Sequence, residues 1–146
     1  MKIFREENIS HLWAHFLLGA SLYVVLELVW RGYSHYSMFL AGGVAYVSLV
    51  YLRRRFVVNA GWFVIMACVG AVVITAVELL FGVLFNIVLG LNVWDYSHFP
   101  LNFVGQISLT YSLLWIFVAM FAFGVDFTVY KVVGAIKSRR IGTQSE

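Results

Sequence analysis

The sequence predicts an all-α, polytopic helical membrane protein with four transmembrane helices. Three observations carry this. First, 62% of the 146 residues are hydrophobic and 12% are charged, with a mean hydropathy of +0.89. A soluble domain of this size is about half apolar and about a quarter charged, so bilayer is the natural solvent. Second, the apolar residues fall into runs near the ~20 residues that a helix needs to cross hydrocarbon. Third, the basic residues cluster at both ends of the chain and in one loop, which is a topology signal before it is a nucleic-acid signal.

In order, the polar head Met1–Ser10 leads into a first span over about 12–30, with Asn8 or Ser10 as candidate caps. This run is too long for a signal-peptide core and lacks a small-residue cleavage site, so it reads as a retained span. Arg31–His35 is a polar turn. A second span covers about 36–52, with Ala41-Gly42-Gly43 and Ala45 as a surface for close helix approach, including that of a second copy, and ends at Arg53-Arg54-Arg55. From Phe56 to Val93 the only charge is Glu78. That stretch is too long for one span and too short for two. It divides into a third span over about 56–80 and a broken, interfacial or re-entrant piece over 81–93, which must lie against protein or water. The fourth span is placed at 103–125, followed by a cytoplasmic tail over 126–146. All of it forms a single transmembrane domain, 1–146.

With four spans, nine of the ten Lys and Arg residues share one side, and only Arg31 lies on the other. The positive-inside rule makes that basic side cytoplasmic, with both termini on it. A chain of this kind is expected in a cell's inner (plasma) membrane.

The polar island Val93–Gln106 (V-W-D-Y-S-H-F-P-L-N-F-V-G-Q) has a shorter echo at Trp30–Ser37 (W-R-G-Y-S-H-Y-S). In each half a glutamate precedes a Y-S-H turn. Either a two-plus-two internal repeat or a shared aromatic-belt composition accounts for the echo.

Ionisable residues inside spans are costly, so they face protein or water and have partners. Glu27 has Arg31 at i+4. Glu78 has no basic neighbour in sequence. Each reads either as a proton, cation or substrate-orienting site or as a hydrogen-bond clasp between helices. The polar island reads either as the floor of a binding pocket or as a well-packed loop. The candidate substrate-binding set is Glu27, Arg31, His35, Glu78, Asn86, Trp94, Asp95, Tyr96, Ser97, His98, Asn102 and Gln106. Asp126, just before Lys131, reads as solvated or ion-paired, and His11 and His15 as interfacial histidines.

No catalytic residue and no metal site is predicted. The histidines and carboxylates match no ligand spacing. Adjacent Ser97 and His98 cannot act as a hydrolase pair in one turn. No phosphate-binding or dinucleotide motif is present, and no cofactor is expected. Cys68 stands alone and gives no disulfide framework.

The run from Trp94 to Trp115 resembles the signature of the ABC-transporter type IV family of bacterial membrane proteins, the CmpB-like permeases. The residues in register are Trp94, Asp95, Tyr96, Ser97, Pro100, Asn102, Gly105, Gln106, Ile107, Leu109, Ser112, Leu113 and Trp115, with Glu78 in the preceding helix. Gln106 and Ser108 stand where arginine and cysteine are frequent in the family. The resemblance implies a multi-span inner-membrane protein, and it carries no family catalytic residue with it.

Two classes of function follow. One is a permease-like transport component with an extracytoplasmic polar site, working as a homodimer or with a partner membrane subunit. The other is a lipid- or partner-binding membrane module without transport. A third, a lipid-modifying enzyme, would need an acid–base pair such as Glu78 with His98. The lipid bilayer is the expected partner in each case, and nucleic acid in none.

Overall fold

The computed structural model describes residues 9–56 and 62–142, and the side chains of 12–56, 62–136 and 138. The expectations at Lys2, Arg5, Asn8, Ser10, His11, Lys137, Arg139 and Arg140 fall outside the described side chains. The described chain is mostly helical: α1 (Ile9–Arg31), α2 (Tyr36–Arg55), α3 (Phe63–Phe81) and α4 (Leu109–Gly142). Three stretches are long and apolar enough to cross a membrane: Leu12–Arg31, Phe63–Val88 and Leu109–Ile136. α2 is the least apolar helix. It packs against α1, α3 and α4, while the backbones of α1 and α4 stay apart and meet through side chains, Tyr23 with Trp115 and His15 with Asp126. The core gathers where α2, α3 and α4 meet, around Leu49, Met66, Ile74, Trp115 and Phe123.

The glycines of α2 serve a contact inside the chain. Ala41, Gly42 and Gly43 are buried. A Cβ at Gly42 would collide with the Tyr23 side chain and lie 3.2 Å from the Gly19 carbonyl oxygen. The surface read from sequence as open to a second copy is therefore covered by α1. Gly42→Ala is expected to cost about 1–3 kcal/mol, the usual cost of overpacking a close contact. Thermal unfolding in detergent measures it, and an unchanged midpoint would show that α1 can shift freely on α2.

Several predicted boundaries move. Phe56 terminates α2, its N–H donating to the Leu52 carbonyl at 3.2 Å, and α3 starts only at Phe63. After Phe81 the helix does not break but widens into a π-helix, Gly82–Val88, and only then becomes irregular. The fourth span does not start at 103. Asn102–Phe103 (β1) pairs antiparallel with Ile107–Ser108 (β2). Val104 and Gly105 turn between them with φ of 54° and 68°. A left-handed turn of this kind stops a helix from starting earlier. Ser108 then caps α4, its Oγ accepting from the Tyr111 N–H at 3.4 Å. From Leu109 the helix runs through Asp126 to Gly142, so what reads as a separate tail is the continuation of α4.

Candidate functional site

The polar island is held by one residue of the π-helix. Asn86 donates from Nδ2 to the Trp94 carbonyl at 2.9 Å and to Gln106 Oε1 at 2.8 Å. Its Oδ1 accepts from the Val93 N–H at 2.7 Å. Trp94 Nε1 donates to the Gln106 carbonyl at 3.0 Å. Gly82 lets this arrangement sit on the helix: a Cβ there would lie 2.7 Å from Gln106 Oε1 and 3.1 Å from the Trp94 ring. Asn86, Trp94 and Gln106 are all buried. Their polar atoms face one another, so these three predicted site residues build the loop.

The exposed half of the island is likewise folded on itself. Asp95 accepts from the Ser97 N–H at 2.8 Å and from the Ser97 hydroxyl at 2.9 Å. Those two bonds hold its carboxyl below the usual range for aspartate. Asn102 Nδ2 donates to the Phe99 carbonyl at 2.8 Å, and its Oδ1 accepts from the Gly105 N–H at 3.1 Å. His98 is exposed and rests against the Phe99 ring, 4.3 Å between centroids. His35 sits at the N-cap of α2, its Nδ1 accepting from the Ser37 N–H at 3.3 Å.

The two glutamates stand apart from that scaffold. Both are buried, each 6% exposed. Glu27 Oε1 accepts from Arg31 Nη2 at 2.6 Å and Oε2 from the Ser34 hydroxyl at 2.7 Å. Glu78 Oε1 accepts from the Tyr96 hydroxyl at 2.9 Å and Oε2 from Trp115 Nε1 at 2.9 Å. Each glutamate therefore grips its own Y-S-H turn, one through serine and the other through tyrosine. Burial, then the nearby Glu78 charge, pushes the Tyr96 hydroxyl well up from its ordinary value. It stays a neutral donor at any physiological pH.

A cavity of about 480 Å³ joins these groups. It lies at the seam between α1 and α4 and is lined by Glu27, Arg31, Tyr96, Tyr111 and Trp115 together with aliphatic residues of both helices. Tyr96 stacks on Tyr111, with centroids 4.3 Å apart and planes 15° apart. A smaller cavity beyond, where Glu78 itself is exposed to space, shares Tyr23 and Trp115 with the first. Of the predicted residues, then, Glu27, Arg31 and Tyr96 meet on one cavity, and Glu78 reaches it through two donors. His35, His98, Asp95, Ser97 and Asn102 are not among its lining. Glu78 and His98 are not joined by any hydrogen bond, so the acid–base pair considered from sequence is not assembled. Among the described residues no group of three or more His, Cys, Asp or Glu could hold a metal.

Tyr23, Tyr111 and Trp115 are cavity residues that sequence reasoning did not select. Aromatic residues in an apolar run look like lipid-facing filler. Their partners separate the two cases, and those lie on other elements: Glu78 for the Trp115 N–H, the Trp115 ring for Tyr23, and the Tyr96 ring for Tyr111.

At the opposite end of the helices sits a second ionic group. Asp126 of α4 is 1% exposed. It accepts from Arg53 Nε, lies 3.5 Å from Arg54 Nη2, and lies 3.5 Å from His15 Nε2. Of the two readings for Asp126, solvated or ion-paired, the structure shows the second: the carboxylate turns inward to α2 and α1, while Lys131 Nζ lies over the Phe127 ring at 4.5 Å.

Residues 15–141 match the model of a family described as "Putative ABC-transporter type IV". That is most of the chain, and the chain belongs to this family, as the Trp94–Trp115 signature indicated. No curated protein and no solved structure matches it. With its long apolar helices it is a membrane protein of a transport-related family.

Proposed function

We propose that the chain is a permease-like component of membrane transport whose site is the α1–α4 cavity. The observation that carries this is the meeting, on one cavity, of the Glu27–Arg31 pair and the two donors to buried Glu78. Buried ionisable groups beside a cavity within apolar helices mark substrate paths more often than passive packing. α2 is read as the fourth span, since it lies among the three apolar helices. The ionic groups lie toward the two ends of α1. α1 rises about 18–24 Å between His15 and the Glu27–Arg31 pair, at 1.5 Å per residue. That is shorter than the ~30 Å of hydrocarbon, which keeps both groups just inside its edges. The basic end is cytoplasmic by the positive-inside rule, which faces the cavity and both Y-S-H turns outward. Four helices are few for a complete path, so a second copy or a partner membrane subunit completes it.

A binding module without transport is the second reading. It is favoured by the polar island, whose hydrogen bonds are satisfied internally and which is built as a rigid plug.

The deciding experiment uses membrane vesicles containing the full-length chain, incubated with isotope-labelled whole-cell extract. Mass spectrometry compares the retained species with those in vesicles carrying Leu114→Trp, which fills the cavity. Labelled compounds enriched by the wild-type chain and lost in the variant are expected. Identical retention would remove the transport reading.

A further inference from the structure

We infer that the α1–α4 cavity takes an amphiphile with one alkyl chain and an anionic head, admitted sideways from the bilayer. This deepens the transport reading by naming the substrate class of the same site.

The shape comes first. The charged residues of the cavity's lining, Glu27 and Arg31, both stand at the C-terminal end of α1. Away from that end its walls are aliphatic and aromatic. Five of its lining residues, Leu22, Tyr23, Leu26, Val118 and Phe121, also line a second, narrower cavity. That one continues along α1 to Gly19, Gly42 and Ala122 and is almost wholly apolar. The two form one slot with a polar mouth and an apolar floor. At roughly 30 Å³ per water-sized group, about the size of a methylene, 480 Å³ takes on the order of sixteen groups. That is room for one chain with a head, and not for the two chains of a phospholipid.

The route comes second. The backbones of α1 and α4 stay apart, and the lining residues Val29, Trp30 and Phe121 are 83%, 71% and 62% exposed. The slot therefore opens on the flank of the helices, where the surrounding solvent is hydrocarbon. An alkyl chain can enter without crossing water.

The charge of the head follows from counting donors and acceptors. Both Glu27 oxygens are already engaged, by Arg31 and Ser34. Arg31 is not saturated. Its Nη1 reaches only the Val93 carbonyl, at 3.5 Å, and its buried Nε has no hydrogen-bond partner. Arg31 lines the cavity with an Nη1 that is only loosely engaged, which favours an acceptor-rich anion. A guanidinium suits carboxylate and phosphate alike. The chemistry covers both a free fatty-acid-type carboxylate and a phosphate head carried on one chain.

Native mass spectrometry of the full chain in detergent, titrated with hexadecanoate, hexadecyl phosphate and neutral hexadecanol, tests this. The three probes share a chain and differ in the head. One bound molecule per chain is expected, with at least one of the anions held about tenfold or more tighter than the alcohol. Whichever anion binds better identifies the head as carboxylate or phosphate. Arg31→Gln is expected to abolish the preference for anions while hexadecanol still binds, which shows that the variant is folded. Leu26→Trp, at the shared wall, is expected to abolish binding of all three. Equal binding of alcohol and anions by the wild-type chain would overturn the inference. So would an anion preference that survives Arg31→Gln, or a dimer that excludes every probe. Absence of binding alongside cavity-dependent retention in vesicles would sink this inference and leave transport standing. Binding without cavity-dependent retention would do the reverse.

Discussion

Replacing Asp126 by alanine is expected to destabilise the protein by about 3–5 kcal/mol, the largest effect of any single substitution considered. The magnitude is that of removing one partner from a buried ion pair. Asp126 is 1% exposed, and its partners come from other helices: Arg53 and Arg54 from α2 and His15 from α1. The loss is not simply that of an attraction. The Arg53 side chain is only 18% exposed, and without the carboxylate its charge loses this counter-ion while still partly desolvated. Asp126→Asn should recover part of the loss, because a side-chain oxygen still accepts from Arg53. Unfolding by denaturant in mixed micelles, followed by tryptophan fluorescence, measures the difference. A variant within about 1 kcal/mol of the parent would mean that the arginines reach water or headgroup phosphate on their own, as surface pairs do.

The ionic group at Asp126 also marks what could and could not be read from the sequence. Four helices, the aromatic turns and the burial of both glutamates follow from hydropathy and from the cost of charge in an apolar run, since each depends on local composition alone. Asp126 obeys the same rule. It interrupts a helix whose apolar character continues for several residues beyond it, so it had to have a partner. Lys131 is nearest in sequence, but which face of α4 meets α2 is a tertiary fact that 3.6-residue periodicity cannot supply when every face is apolar. The hairpin at Asn102–Ser108 was missed for a different reason. Phe103, Val104 and Ile107 look like the start of an apolar helix, and only the left-handed turn at Val104–Gly105 overrules them. Gly105 was the legible signal, because φ above zero suits glycine. Asn86 reads as a site residue from its polarity alone; that its donors and acceptor clasp the loop from Val93 to Gln106 is visible only in the structure.

Glu78→Ala is expected to lower stability by about 2–5 kcal/mol and to remove the order of the cavity wall. Tyr96 and Trp115 each donate to one oxygen of this carboxylate. Trp115 is 3% exposed and cannot turn to water. Each buried donor left without an acceptor costs about 1–3 kcal/mol, more when the lost acceptor was charged. Glu78→Gln separates geometry from charge. Its one oxygen can serve one donor, while its amide nitrogen faces the other, so about half of the alanine loss should remain. Trp115→Phe in the Glu78→Gln background supplies the third corner of the test. If one donor is orphaned by glutamine, removing the indole N–H should cost less there than in the parent. The coupling energy from that double-mutant cycle should be about 1 kcal/mol or more. Full additivity would show that glutamine still accepts from the Trp115 N–H. The same cycle bears on function. Glu78 and the stacked Tyr111 ring together hold Tyr96 in the cavity wall, so a substitution that frees Tyr96 alters the end of the cavity proposed to take a ligand's head.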